Sequence, residues 1–121
     1  MGKFVIRRTD SGFKFDLKAG NGETIATSEV YSSAAQCRKG IESVRKCAAK
    51  AAVADMAEGE TASNPAFVLQ PDKAGQYRFR LHARNGKVIA VSEGYATKAA
   101  CEHGVESVRA NAPEAQIAEK D

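Results

Sequence analysis

The sequence contains no tryptophan, only two histidines and three cysteines, and no long hydrophobic run. Without an apolar stretch of about 20 residues, it predicts no helix that spans a membrane. The first residues lack the apolar core and the small-residue cleavage site of a secretory signal, and Ile6 breaks the myristoylation pattern that Gly2 would begin. We therefore expect a cytoplasmic protein that has no contact with a membrane.

Few side chains of the kind that perform chemistry are present. The three cysteines, Cys37, Cys47 and Cys101, do not have the spacing of a metal site, which favours free thiols in a reducing compartment. His82 and His103 are too few and too far apart to form a zinc site by themselves. No GxxxxGK[ST], HExxH or GxSxG motif occurs. These absences predict no catalytic residue, no metal and no cofactor, and hence a protein that is not an enzyme.

The excess of positive over negative charge is also small. The net charge of +3 is a mild basic bias, well short of the dense positive charge of a typical nucleic-acid-binding domain. With 43% hydrophobic and 27% charged residues, the composition is that of a globular protein. A length of 121 residues suffices for one ordinary domain and is too short for two.

What the sequence does contain is a tandem repeat. Residues 13–48 and 77–112 align without a gap, residue i matching residue i + 64, and half of the aligned positions are identical. Internal repeats define the architecture, because each copy is one structural unit. We interpret the chain as a single domain of two repeats, approximately residues 1–57 and 67–121, joined by a linker at 58–66.

Each repeat shows the pattern of three strands, one helix and a short final strand. The alternating segments FKFDLKA and YRFRLHA predict half-buried strands. The Asn-Gly pairs that follow them predict two-residue hairpin turns with positive φ at both residues. Ser33 and Thr97 then predict helix N-caps, and apolar residues recur on one helix face. We interpret residues 51–57 and 115–119 as final strands, although propensity alone would also allow the first of them to continue the helix.

A two-residue turn fixes the strand register and sorts the two faces of the sheet. It places Lys14 opposite Glu29 and Arg78 opposite Glu93, two pairs of opposite charge. Helix residues Gly40 and Gly104 predict a close approach of the helix to small residues of the sheet, since glycine inside a helix otherwise costs about 1 kcal/mol relative to alanine.

The face of the sheet away from the helices is the first candidate site. There we expect aliphatic Ile25, Ile89 and Val91 within a basic field. The candidate binding surface consists of Arg78, Arg80, His82, Arg84, Lys14 and Lys18. An ordinary solvated face is the simpler interpretation, and a surface for an acidic protein or a nucleic acid is the alternative. No aromatic residue lies among the arginines to stack on bases.

The second candidate site is a symmetric cleft at the pseudo-twofold axis between the repeats. Its residues are Tyr31, Tyr95, Arg45 and Arg109. Buried tyrosine rings and surface i, i+3 ion pairs between arginine and glutamate explain these residues in structural terms. A small-ligand or enzymatic cleft is the alternative.

The pattern NGETIxTSExYxSxxxxxxGIxSVR, from Asn21 to Arg45 and more loosely from Asn85 to Arg109, resembles the YegP-like family of small bacterial proteins. The resemblance implies an α+β fold of tandem βββαβ repeats, with one antiparallel sheet, two helices on one face and terminal strands exchanged between repeats. It supplies no catalytic residues to carry over. The second copy departs from the pattern at Gly94.

These features together predict a non-enzymatic binding or structural module of the bacterial cytoplasm. We expect it to act through its exposed sheet face or through the seam between repeats, with a protein of unknown identity as its partner. Weak nucleic-acid binding by the basic face is the alternative to a protein partner. We expect a monomer, because the repeat is already paired within one chain.

Overall fold

A computed structural model describes residues 2–55, 59 and 63–120 of the chain. The first half forms β1 (Lys3–Thr9), β2 (Gly12–Lys18), β3 (Thr24–Thr27), α1 (Ala34–Lys50) and β4 (Ala52–Asp55). The second half forms β5 (Ala66–Pro71), β6 (Tyr77–His82), β7 (Val88–Val91), α2 (Lys98–Asn111), a 3-10 turn (Ala112–Glu114) and β8 (Gln116–Lys120). The ambiguous segment after α1 is therefore a strand over residues 52–55, while residues 56–57 and most of the proposed linker lie outside the described residues.

The strands form one sheet in the order β4-β5-β6-β7-β3-β2-β1-β8. The two halves meet at the centre, where Thr27 of β3 lies opposite Val91 of β7. The final strand of each half pairs with the first strand of the other half, β4 with β5 and β8 with β1. The terminal strands are thus exchanged, as the resemblance implied.

The expectation of an entirely antiparallel sheet is wrong at both edges. β4 pairs with β5, and β8 with β1, in parallel. The cause is the path of the helices, since each crosses from its own half towards the other. Helix α1 ends with Lys50 close to Pro65, and the next strand begins with Ala52 beside Ala66. Both strands therefore start from the same end of the sheet and run in the same direction.

Both helices pack on one face of the sheet and share a single hydrophobic core. The side chains of α1 predicted to face the sheet are all buried, and so are their counterparts on α2. These residues are Cys37, Ile41, Val44 and Ala48, with Cys101, Val105, Val108 and Ala112. Ser33 and Thr97 cap the helices by accepting hydrogen bonds from the backbone N–H groups of Gln36 and Ala100. The helical interpretation of the sequence is confirmed.

The Asn-Gly hairpins differ from the predicted two-residue turns. The N–H of Gly22 donates to Ala19 O at 2.9 Å, and only Gly22 in this loop has a positive φ, of 88°. The loop therefore contains three residues, and its glycine occupies the left-handed position that leads into a bulge. The strand register shifts by one residue between Leu17 and Lys18. The shift compensates for the longer loop, so that Leu17 lies opposite Ala26 as predicted.

This bulge changes the face on which two isoleucines lie. The predicted register placed Ile25 and Ile89 on the outer face of the sheet, which is wrong. Both belong to the buried core, with 8% and 4% of their surfaces exposed. A bulge inserts one residue into a strand and redirects its side chain. The outer face is consequently less apolar than the sequence suggested.

The helix glycines make room for tyrosine rings, and not for small strand residues as predicted. A Cβ atom at Gly40 would lie 2.3 Å from Tyr31 Oη and 3.2 Å from the Phe15 ring. The Tyr31 ring stacks on Phe15, with a centroid distance of 6.2 Å. Gly104 repeats the arrangement, since a Cβ atom added there would overlap the hydroxyl oxygen of Tyr95. Absence of a side chain at these helix positions allows the ring to lie under the helix.

Replacement of Gly40 by alanine is therefore expected to destabilise the protein by about 1–2 kcal/mol, because the steric cost of overpacking exceeds the gain in helix propensity. Urea unfolding measures the change. In a Tyr31→Ala background the clash with the hydroxyl is absent, so the same substitution should be much less destabilising. If Gly40→Ala were destabilising to the same degree in both backgrounds, contact with the tyrosine would not be the reason for glycine.

Candidate functional site

The sheet face opposite the helices is strongly basic. Side chains alternate along a strand, so residues between the buried positions of β1, β2 and β6 point away from the core. The outward cations are Lys3, Arg7, Lys14, Lys18, Arg78 and Arg80. His82 lies on the same face at the end of β6, half-buried opposite Ala66. On these three strands, Asp16 is the one carboxylate that points outward.

Asp16 is already held within the protein. Its carboxylate accepts a hydrogen bond from Arg7 Nε at 2.8 Å and another from Thr27 Oγ1 at 2.9 Å. The equivalent position in the second repeat is Arg80, which is exposed and donates to the side chain of Gln70 at 3.3 Å. The two repeats therefore differ most in charge near the middle of this face.

The predicted charge pairs across the hairpins do not form. Arg78 donates to Asp72 Oδ2 at 2.9 Å and to Ser92 O at 3.2 Å, and not to Glu93. This hydrogen bond is the main cause that lowers the pKa of Asp72. No ion pair joins Lys14 to Glu29 in the part of the chain that the structure describes. Both glutamates lie after the ends of β3 and β7, in the irregular stretch before the bridges that Tyr31 and Tyr95 form with β2 and β6.

Arg84 does not belong to the outer face. Strand β6 ends at His82, so the alternation of side chains stops before Arg84, which lies in the turn between β6 and β7. Arg84 lines a groove of about 480 Å³ between this turn and α1, together with Lys46, Lys50 and Cys47. Sequence reasoning missed this groove. The signal that could have indicated it is the spacing of Lys39, Lys46 and Lys50, which places the three lysines on one side of α1.

The four residues of the proposed cleft are not brought together. Arg45 donates to Ala115 O, and its guanidinium lies 5.6 Å from the ring centroid of Phe4 on β1. Arg109 makes the equivalent contacts with Ala51 O and with Phe67 on β5. Four strands separate β1 from β5, which corresponds to about 24 Å. The arginines secure the exchanged strands at opposite edges, so no symmetric cleft joins them.

The tyrosines of that cleft are packing residues at opposite ends of the sheet. Tyr31 pairs with Phe13 at the start of β2, and Tyr95 pairs with Tyr77 at the start of β6. Because the central strands β3 and β7 are antiparallel, these positions diverge. Burial is the main cause that raises the pKa of both phenols above the usual value. Both hydroxyls therefore stay protonated at neutral pH.

Features expected of a metal or thiol enzyme are not seen in the described residues. No group of three or more His, Cys, Asp or Glu side chains there has a geometry that could hold a metal ion. Burial raises the pKa of both Cys37 and Cys101 to about 11, so these thiols stay protonated. Within the same residues, no helix is long and apolar enough to cross a membrane.

Comparison with known proteins places the chain in a family. Residues 9–55 and 72–119 match a domain of unknown function, DUF1508, once in each repeat. The chain belongs to the DUF1508 family. It is 43% identical over 107 residues to the UPF0339 protein YegP of Escherichia coli O157:H7, a match that covers 88% of this chain and 86% of YegP. The resemblance to YegP-like proteins is confirmed.

Solved structures of similar bacterial proteins share the α+β fold. The solution NMR structure of yegP from E. coli aligns with a TM-score of 0.81 at 33% identity, covering 98% of this chain and 92% of that one. The NMR structure of a UPF0339 protein from Shewanella oneidensis aligns with a TM-score of 0.79 at 31% identity, covering 98% and 90%. The names of these relatives specify a family and no activity.

A shorter relative indicates that the repeat also occurs alone. A UPF0339 protein of Treponema denticola is 55% identical over 53 residues, which is 44% of this chain and 91% of that protein. One repeat therefore accounts for nearly all of the shorter protein. Residues that the two repeats share thus belong to the unit that also occurs alone, and a function specific to this chain should be sought where the repeats differ.

Proposed function

We propose that this protein is a non-catalytic binding module of the bacterial cytoplasm that docks an acidic protein on the outer face of its sheet. The observation that carries the proposal is the charge of that face, where six cations on β1, β2 and β6 accompany two carboxylates, Asp16 and the Asp72 that pairs with Arg78. This excess is larger than the +3 of the whole chain. The rest of the molecule is therefore net negative, and an acidic partner would be steered towards this face.

The same face favours a protein over a nucleic acid. Val5, Val68 and Val91 lie half-buried among the charges and offer aliphatic contact area. All eight phenylalanine and tyrosine residues either belong to the core or pack against it. None of them is therefore placed on the outer face to stack on a base, which is how proteins usually hold single-stranded nucleic acids.

Two of the six cations are less available than the others. Arg7 is paired with Asp16, and Arg78 with Asp72. Lys14, Lys18 and Arg80 form no ion pair with another described residue, so their charge can be presented to a partner. A test that reverses these three charges leaves both internal pairs intact.

Reversal of all three charges, in the variant Lys14→Glu, Lys18→Glu, Arg80→Glu, is expected to weaken partner binding at least tenfold, because like charges would then face each other. Affinity capture from a lysate of the source bacterium, followed by quantitative mass spectrometry, identifies acidic proteins that bind at low salt and are lost at high salt. The dissociation constant is then measured with the purified partner.

The matched control is the variant Lys39→Glu, Lys46→Glu, Lys50→Glu, which changes the net charge equally on the helical side of the molecule. It should retain the partner. The proposal fails if the outer-face variant captures the same acidic proteins as the unmodified protein, or if both variants lose them equally. Circular dichroism confirms that each variant is folded.

A further inference from the structure

Helix α1 carries a row of cations on the side that faces the β6–β7 hairpin. Lys39, Ser43, Lys46 and Lys50 are spaced by three or four residues, so they share one side of the helix, and all of them line the groove described above or its continuation. A rise of 1.5 Å per residue separates the ends of the row by about 16 Å. Lys46 and Lys50 are like charges one turn apart, which destabilises a helix, whereas Lys50 in the last turn is stabilised by the helix dipole.

The hairpin supplies the opposite wall and adds two more cations. Arg84 lines the groove with Lys46 and Lys50, and Lys87 lines the continuation of the groove near Tyr31. Asn85 lines both parts, and its Oδ1 accepts the N–H of Lys87 at 3.0 Å, which leaves the side-chain NH₂ as a donor. No lining residue is acidic, and none of the five cations forms an ion pair within the described parts of the chain.

The second repeat lacks this charge at the corresponding positions. Its positions corresponding to the three lysines are His103, Ala110 and Glu114, and Glu23 replaces Lys87. There the side-chain NH₂ of Asn21 is already used, since it donates to Glu23 Oε2 at 3.0 Å. A groove of about 560 Å³ overlaps this place at Ala19, Gly20 and Glu114 and is otherwise lined by Gly2, Lys3, Gly22 and residues 116–118, so Lys3 is its single cation. The same backbone therefore folds with either set of side chains, and the cations are not required by the scaffold.

We propose that the groove between α1 and the β6–β7 hairpin binds a chain of linked phosphates, the chemistry shared by inorganic polyphosphate and nucleoside triphosphates. The lining offers ammonium, guanidinium, amide and hydroxyl donors and no carboxylate, so it selects an anion and excludes a cation. The extended row fits several charges in line better than one. This site lies on the helical side and is independent of the proposed docking face.

Recognition is directed at the phosphates and not at a base. Tyr31 is the one aromatic residue among the lining residues, and one face of its ring is stacked on Phe15 at an interplanar angle of 15°. A base cannot insert between two rings there. We therefore expect the nucleoside part of a nucleotide to add little to the affinity.

Cys47 provides a reporter inside the groove. It lines the groove and is half-buried, whereas Cys37 and Cys101 are buried. Their high pKa also leaves few thiolates at about pH 8, so a thiol reagent should modify Cys47 selectively. A bound anion covers this thiol and should slow its modification.

The test is isothermal titration calorimetry of the full chain with inorganic tripolyphosphate, ATP, a long-chain polyphosphate and adenosine, combined with the rate of Cys47 modification. We expect tripolyphosphate and ATP to bind and to protect Cys47, and adenosine to do neither. The variant Lys46→Gln, Lys50→Gln should weaken binding at least tenfold. The control Lys14→Gln, Lys18→Gln makes the same charge change on the outer face and should weaken it less than twofold.

The outcomes separate the two sources of the ligand. Long-chain polyphosphate binding at least tenfold more tightly than ATP would assign the inorganic polymer, and a smaller difference would assign a nucleoside triphosphate, because three phosphates would then suffice. Equal losses in both variants would show non-selective attraction and overturn the proposal, as would binding of adenosine or an absence of binding to every phosphate. Tighter binding of a single-stranded oligonucleotide than of a polyphosphate with equal charge would also overturn it.

Discussion

Replacement of Phe15 by alanine is expected to lower the free energy of unfolding by about 3–5 kcal/mol, the largest effect of any single substitution proposed for this protein. Phe15 is completely buried. Its ring meets Phe4 edge-on at a centroid distance of 5.6 Å and stacks on Tyr31 at 6.2 Å. It also approaches the backbone of Gly40, so the cavity left by its removal is bordered by three elements that cannot easily close it.

Urea unfolding followed by circular dichroism measures this change. Small domains are commonly stable by only about 5–15 kcal/mol, so the variant should unfold at a much lower urea concentration. The matched substitution is Phe79→Ala, because Phe79 contacts Phe67 and Tyr95 in the same geometry. Phe13→Ala, which removes a half-buried ring on the same strand, should cost less. A loss at Phe15 no greater than at Phe13 would contradict the central role of the stacked rings.

The elements that sequence reasoning predicted well are those specified by short-range patterns. The face of α1 from Cys37 to Ala48 follows from apolar spacing, and the N-cap at Ser33 follows from one side chain. The repeat strengthened these predictions, because two different sequences had to form the same element. Helix α2 stops at Asn111, two residues before Pro113, which cannot continue an α-helix.

The wrong predictions of strand register arise where the sequence fits two local structures almost equally well. Asn-Gly fits both a two-residue turn and a three-residue loop, and the structure adopts the second with only Gly22 at positive φ. The difference of one residue is absorbed by a bulge, which is why Leu17 keeps its predicted partner while Ile25 moves into the core. Alternation along a strand cannot reveal a bulge that restores the register beyond it.

The candidate sites depended on which half of the chain each helix touches, and the sequence does not contain that information directly. A repeat predicts symmetry, but it does not show that α1 crosses to the hairpin of the second half. Consequently Arg84 was assigned to the sheet face, whereas it lies across a groove from Lys46 and Lys50. The helix crossing also explains why Arg45 contacts a residue 70 positions away.

Replacement of Arg45 by alanine is expected to destabilise the protein by about 2–4 kcal/mol. The guanidinium donates to Ala115 O just before β8, lies over the ring of Phe4 and pairs with Glu42. A charged hydrogen bond contributes about 1.5–3 kcal/mol and a cation–π contact about 0.5–2 kcal/mol. With one quarter of the side chain exposed, we take a sum below the combined maximum.

The distinctive consequence concerns the exchanged strands. Loss of Arg45 removes one of the contacts that hold β8 at the edge of the sheet. The pairing of β8 with β1 and the ion pair of Arg38 with Glu119 remain, so β8 is held less tightly while the rest of the sheet is unchanged. Amide hydrogen exchange should therefore accelerate in β8 well before the centre of the sheet opens. Arg109→Ala should have the mirror effect on β4, because Arg109 donates to Ala51 O.

Arg45→Lys separates the hydrogen-bond geometry from the charge. Lysine keeps the aliphatic stem and the positive charge, but it cannot contact Ala115 O and Glu42 with one planar group, so we expect about half of the loss. Hydrogen exchange that accelerated equally in β4 and β8 would show that the arginine stabilises the whole core and not one exchanged strand. Selective opening would instead establish that each helix holds the final strand of the other repeat in place, which makes the two halves interdependent in a way that one repeat alone cannot provide.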